Sequence, residues 1–218
     1  MIIFDCNGVL VDSEQLSTAI VSQEFIRAGF ALTPDIVARY FTGRRPADMF
    51  AEVEIAAGRK LPPDFAATVA SATLHQFRAE LRATKHAAYA LSWLRGPKCV
   101  ASSSSIDRIR VSLESTDLIR FFEPNLFSAS DVRNGKPAPD LFLHAAGRMR
   151  VEPRECLVVE DSPVGVAAGV AAGMTVIGFV GGSHAGGQLA NHLRTAGAHA
   201  VISDMRALKS TIIDLRGW

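Results

Sequence analysis

Several short stretches of this chain are apolar without alternation, and no other feature of the sequence constrains its fold as tightly. They are Ile2 to Cys6, Lys98 to Ala101, Leu126 to Ser128, Cys156 to Val159, Thr175 to Phe179 and, more weakly, Ala200 to Ser203. A strand with one face in water alternates polar and apolar residues. An unbroken apolar run needs cover on both faces, as in a parallel sheet. Between these runs lie segments with helical spacing: "AAYALSWL" ahead of the second, "IDRIRVSLESTDLI" after it, "DLFLHAAGRM" ahead of the fourth and "VGVAAGVAAG" after it. Strand and helix in alternation predict an α/β fold with a doubly wound parallel sheet.

The rhythm breaks after the first run. From about Ser13 to Lys85 the chain reads as helix only, in "LSTAIVSQEFIRAG", "PDIVARYF", "PADMFAEVEIAAG" and "DFAATVASATLHQFRAEL". Gly29, Gly43, Gly58 and Pro62-Pro63 punctuate it. This predicts a helical module, residues 13–85, inserted into an α/β core made of residues 1–12 and 86–218. A chain of 218 residues is long enough for a core and a smaller module.

Pro163 to Gly182 carries no charge and is long enough to cross a bilayer. Glycines interrupt it and "GMTVIGFV" turns strand-like, so it reads as a short buried helix, a turn at Gly173 and a buried strand. The net charge is +1 with no acidic or basic block, which gives no reason to expect nucleic acid or an anionic membrane as partner. Cys6, Cys99 and Cys156 sit in or beside apolar runs without metal-ligand spacing. They read as reduced core thiols of a cytoplasmic protein, a monomer or weak homo-oligomer. No N-terminal signal is visible. Only Met1 to Phe4 precede Asp5, a short first strand, as if a few residues had been lost ahead of it.

Ligands of open α/β sheets bind beyond the carboxyl ends of the strands. Standing there are Asp5 and Asn7 after the first run, Ser102 to Ser105 after the second, Lys136 in "SDVRNGKPAP" after the third, and Glu160, Asp161 and Ser162 after the fourth. Taken singly, each has an ordinary structural reading as a turn, cap or solvated loop residue. Together they suit phosphate and a divalent cation. Mg2+ takes hard oxygen ligands, which Asp5 and Asp161 can supply. A serine loop opening a helix can hold phosphate oxygens with its N–H groups and hydroxyls, and Lys136 adds a point charge.

The stretches "FDCNGVLVDSE", "VASSSS", "GKPAPD" and "VVEDSPVGVAAGVAAGM" resemble, in order and spacing, the four motifs of the haloacid dehalogenase-like hydrolase superfamily. The inserted helices resemble the α-helical cap of its phosphatase and phosphosugar-mutase branch. The resemblance implies a Rossmann-like core with an inserted cap domain and an Mg2+-dependent phosphatase of a small phosphorylated metabolite, a sugar phosphate or sugar-acid phosphate. It implies that Asp5 is the nucleophile that becomes an aspartyl-phosphate. Ser102 and the Ser103 backbone would hold the phosphate, and Lys136 would steady Asp5 and the phosphoryl group. Asp5, Asp161 and the backbone carbonyl of Asn7 would hold the metal, with Glu160 as a further or water-mediated partner. The cap would set selectivity, with Thr42, Gly43, Arg44 and Arg45 in a helix-to-helix turn as the residues expected to reach the site, the two arginines as anion grips.

One position departs from the resemblance. Where Asn7 stands, this branch carries a second aspartate, which protonates the leaving alcohol and then deprotonates the attacking water. An amide cannot alternate between those states near neutral pH. Asn7 is therefore expected to impair turnover. The chain is then an Asp-to-Asn form of a working phosphatase, engineered or native, or a non-catalytic protein that binds a phosphometabolite. A phosphosugar mutase is the alternative enzyme of the same fold. Dehalogenase or phosphonatase chemistry stands behind these, because such members of the superfamily usually carry other residues where Asn7 stands, and no lysine early in the helical segment can form the Schiff base that a phosphonatase needs.

Overall fold

The computed structural model describes residues 1–41 and 43–216. Its centre is a six-stranded, all-parallel sheet of β1 (Ile2–Phe4), β2 (Lys98–Ser102), β3 (Leu126–Ser128), β4 (Leu157–Glu160), β5 (Thr175–Phe179) and β6 (Ala200–Ile202). The strand order is β3-β2-β1-β4-β5-β6. Ile3 lies opposite Cys99 on one side and Val158 on the other.

The unbroken apolar runs have the expected cause. Successive side chains of each strand enter different buried clusters. Ile2, Phe4, Val100, Leu157 and Val159 pack on one face, under α5 (Ala87–Trp93), α6 (Ile106–Ser115) and α10 (Leu208–Arg216). Ile3, Cys99, Ala101, Val158 and Val176 pack on the other, under α7 (Asp140–Met149), α8 (Pro163–Ala171) and α9 (Leu189–Thr195). Both faces are covered, so neither needs polar residues. The uncharged stretch resolves as read: α8 ends, Gly173 turns the chain at a φ of +72°, and β5 follows. Among the described residues no helix is long and apolar enough to cross a membrane.

Between β1 and α5 the chain forms α1 (Glu14–Arg27), α2 (Pro34–Phe41), α3 (Pro46–Ala57) and α4 (Phe65–Glu80). These helices share a buried cluster of their own, with Val21, Phe25, Phe30, Val37, Phe50 and Phe65 among its members. The Phe25 ring lies 5.9 Å from Phe50 and 4.8 Å from Phe65, centroid to centroid. The far end of α4 leaves that cluster, and Phe77 is buried in the sheet core. The two passages that link these helices to the sheet run side by side. The Asp12 N–H donates to the Arg82 carbonyl and the Thr84 N–H to the Leu10 carbonyl, each at 2.9 Å.

Candidate active site

The strand order reverses beside β1, the central strand. The chain goes from β1 to β2 and β3 on one side, then crosses to β4, β5 and β6 on the other. At such a point the connections leave in opposite directions and open a crevice above the strand ends. The four groups of residues expected at strand ends all reach this crevice.

Asp5 follows β1 and is locked there by its N–H, which donates to the Val159 carbonyl at 3.0 Å. The next turn is tight: the Gly8 N–H donates to the Val11 carbonyl at 2.8 Å, and Gly8 has a φ of +72°. A Cβ at Gly8 would lie 1.8 Å from Asp161 Oδ2, so only glycine lets the two loops meet. Lys136 arrives from the loop after β3. That loop is pinned by Asn134, whose backbone N–H and side-chain amide both donate to Asp140 Oδ1, at 3.2 and 3.0 Å. Lys136 Nζ donates to Asp5 Oδ1 at 2.6 Å and to Glu160 Oε1 at 2.5 Å, with all three side chains buried. The other oxygen of Glu160 accepts from the Ser162 N–H at 2.7 Å and the Ser162 hydroxyl at 3.0 Å. Ser162 in turn caps α8 by accepting from the Gly165 N–H at 3.1 Å.

The electrostatics follow from this packing. Burial pushes the Asp5 carboxyl well above the usual aspartate range, against the pull of Lys136. Burial also works against the Lys136 ammonium, but Asp5 and Glu160 outweigh it and hold its pKa above the ordinary lysine value. Asp161 is pushed up to about 7, first by burial and then by Glu160, with His184 acting the other way. One lysine thus serves a nest of carboxylates. Asp5, Glu160 and Asp161 can bring ligand oxygens within 4.8 Å of one another, and Asp161 Oδ2 is buried without a hydrogen-bond partner. An all-oxygen, anionic set fits a hard divalent cation. Both Glu160 oxygens are engaged by protein donors, which leaves Asp5 and Asp161 as the freer ligands.

The serine loop faces them. Ser102 is buried, and its hydroxyl accepts from the Ser104 N–H at 3.3 Å. The Ser103 hydroxyl donates to the Gly43 carbonyl at 2.8 Å, a direct tie from the sheet to the helical segment. Asn7 Nδ2 donates to the Ser104 hydroxyl at 2.9 Å, while Asn7 Oδ1 is buried without a partner. Asp5, Asn7, Ser102 to Ser104, Arg44 and Asp161 line one cavity of about 80 Å³. A larger groove of about 860 Å³ continues from it past Arg44, Asp161 and His184.

Of the residues expected from the turn between α2 and α3, Gly43 and Arg44 reach the cavity. Thr42 lies outside the described residues. Arg45 does not line the cavity; it binds Asp48 at 2.8 Å and the Arg133 carbonyl at 3.4 Å. Arg44 is paired with Glu52. Two residues at the site had no sequence signal of their own. His184, in a glycine-rich loop after β5, places Nε2 2.9 Å from Asp161 Oδ2, an ion-pair contact. Arg108, on the first turn of α6, lines the cavity beside Asp5.

The profile of the haloacid dehalogenase-like hydrolases matches residues 1–173. The chain belongs to this hydrolase family. It is similar to the 6-phosphogluconate phosphatase of Escherichia coli (strain K12), 33% identical over 184 residues that take in 84% of this chain and 83% of that one. It is also similar to the validoxylamine A 7'-phosphate phosphatase of Streptomyces hygroscopicus subsp. limoneus, 30% identical over 180 residues, 81% of this chain and 84% of the relative. Among solved structures, a conserved haloacid dehalogenase-like protein of unknown function from Agrobacterium tumefaciens str. C58 superposes with a TM-score of 0.82 at 35% identity, over 99% of this chain and 98% of that one.

Proposed function

We propose that this chain is the scaffold of an Mg2+-dependent phosphatase for a small phosphorylated metabolite, a sugar phosphate or sugar-acid phosphate, and that Asn7 holds its turnover low. The observation that carries this reading is the buried Asp5–Lys136–Glu160 chain, set at the strand switch point opposite the serine loop. The named activities of the two phosphatase relatives agree with it.

The Asp5 oxygen that Lys136 does not hold attacks the phosphorus, and the bond from phosphorus to the substrate oxygen breaks. Lys136 and the donors of Ser102 and Ser103 stabilise charge on the phosphoryl oxygens. The departing alkoxide needs a proton. Water then attacks the aspartyl-phosphate, loses a proton and frees Asp5 and inorganic phosphate. Asp5, Asp161 and the Asn7 carbonyl would hold Mg2+, with Glu160 behind them, and the ion would neutralise phosphate charge when bound. An aspartate at position 7 would handle both protons, and Asn7 handles neither. Residues 13–85 act in this reading as a cap, whose turn at Gly43 and Arg44 closes the cavity that receives the substrate.

The Asn7→Asp variant tests the reading with a phosphate-release screen over a broad panel of phosphate esters in Mg2+. A strong gain on at least one ester is expected, and no gain on any would sink it. The Asn7 amide also favours a second reading, a protein that binds a phosphometabolite without turning it over. Calorimetry separates the two: binding without hydrolysis, in this chain and in Asn7→Asp alike, selects the binder.

A further inference from the structure

We propose that Arg108 receives a second anionic group of the substrate, a carboxylate or a further phosphate, so that the substrate class is a small phosphorylated metabolite with two separate negative groups. This rests on the phosphatase reading of the same cavity.

Arg108 is held as a receptor is held. Its backbone N–H donates to Ser105 Oγ, the cap of α6, at 3.4 Å, which fixes the start of the side chain. Its guanidinium lies over the Phe77 ring, with Cζ 4.9 Å from the centroid, and Nη2 donates to the Ser17 hydroxyl of α1 at 2.6 Å. Nε is buried with no hydrogen-bond partner. No carboxylate of the described residues forms an ion pair with Arg108, while Asp5 and Glu14 act on it only through space. Burial accordingly draws its pKa below the ordinary arginine value. A half-buried guanidinium with a buried, unpartnered Nε and no carboxylate in direct contact is costly, and a carboxylate or phosphate brought by a ligand lowers that cost. Its planar fork matches either group.

The other arginines near the site are already committed. Arg44 pairs with Glu52 and Arg45 with Asp48, each a carboxylate of α3. Arg108 alone among these three is unpaired, and it shares one cavity with Asp5 and Ser102. Glu14 lines the same cavity and disfavours an anion on its own side. Together they orient a ligand, with hydroxyls toward Glu14, Ser17 and Thr18 and the anion toward Arg108.

Calorimetry on the full chain in Mg2+ tests this with four ligands: inorganic phosphate, glucitol 6-phosphate, 6-phosphogluconate and a hexose 1,6-bisphosphate. At least one ligand with an anionic tail should bind about 10- to 100-fold tighter than glucitol 6-phosphate, the usual worth of a charge-assisted contact. Whether the acid or the bisphosphate shows the preference identifies the anion. Arg108→Gln should abolish the preference, and Arg108→Lys should retain part of it. Equal affinity for the three esters in the native chain overturns the proposal, and that comparison needs no variant. A preference that survives Arg108→Gln also overturns it. So does an equal loss for all four ligands in Arg108→Gln, which would put Arg108 on the transferred phosphate. Failure of every ligand to bind also overturns the proposal; all these outcomes leave the phosphatase reading to its own test, phosphate release by Asn7→Asp.

Discussion

At Asn7, in the reading proposed above, an amide nitrogen in place of a carboxylate oxygen separates an inert side chain from a working proton relay. Asn7 Nδ2 donates to the Ser104 hydroxyl; a carboxylate in the same place would accept from that hydroxyl instead, so the substitution asks for no rebuilding. We therefore expect Asn7→Asp to fold as this chain does and to raise turnover by about 10²- to 10⁴-fold, the usual worth of a general acid-base, as read by steady-state phosphate release. Gly8 is less forgiving. Gly8→Ala forces a side chain into a left-handed backbone at about 1–2 kcal/mol and drives Cβ into Asp161. Urea unfolding should show the loss, and a calorimetric Mg2+ titration should show weaker binding. Lys136→Met leaves Asp5 and Glu160 buried without their shared cation. Up to about 3–5 kcal/mol should be lost near neutral pH, and less in acid, where Asp5, its pKa raised by burial, protonates. Comparing the urea midpoint at two pH values checks both halves of that statement. Each of Asp5, Asn7, Lys136 and Asp161 was legible in the sequence because it sits one or two residues past an apolar run or inside a tight motif. Arg108 was not, because its helix reads as an ordinary amphipathic segment and only the approach of Ser17 and Phe77 makes it special.

The elements show the same division between local and distant causes. The helical stretch from α1 to α4 and the turn between α8 and β5 follow from spacing and from glycine and proline positions, which act within a few residues. Helices α9 and α10 had no such mark. They are short, and what defines them is packing: Leu193 is buried against one face of the sheet and Leu208 against the other. The loop that brings His184 to Asp161 is rich in glycine and carries no periodicity, and it is held by distant residues: the Ser183 N–H and hydroxyl donate to Asp12, and Gln15 donates to the Ser183 carbonyl. The separate cluster around Phe25 has a consequence for stability. Phe25→Ala should cost about 3–5 kcal/mol, as large cavities do. Hydrogen exchange should rise across residues 14–70 more than in β1, β2 and β4, because those strands are held by different clusters. Equal loosening of strands and helices would show that the two clusters unfold as one.

At the scale of the whole molecule, the buried acidic group of Asp5, Glu160 and Asp161 lies at one end of the sheet, and we expect it to govern the response to pH and to metal. Asp5, Asp161 and His184 all have raised pKa values, and Asp161 reaches about 7 from an ordinary 3.8. The metal-free fold therefore holds more protons than the unfolded chain between those values. Its stability should fall as pH rises from about 4 to 7 and stay low above. Thermal unfolding in a chelator should show that decline, and Mg2+ should reverse it at the upper end by replacing the protons. The thiols report the same tight interior. Cys6, Cys99 and Cys156 are all buried, and Cys99 is pushed up to about 12 by burial, so a thiol reagent should react only as the chain unfolds. The central claim concerns Asp5 and Asn7 together, and the most direct measurement is phosphate release in Mg2+ by Asn7→Asp beside the double variant Asn7→Asp, Asp5→Asn. The account predicts a large gain in the first and none in the second. Equal activity of the two, or no gain in either, would contradict it.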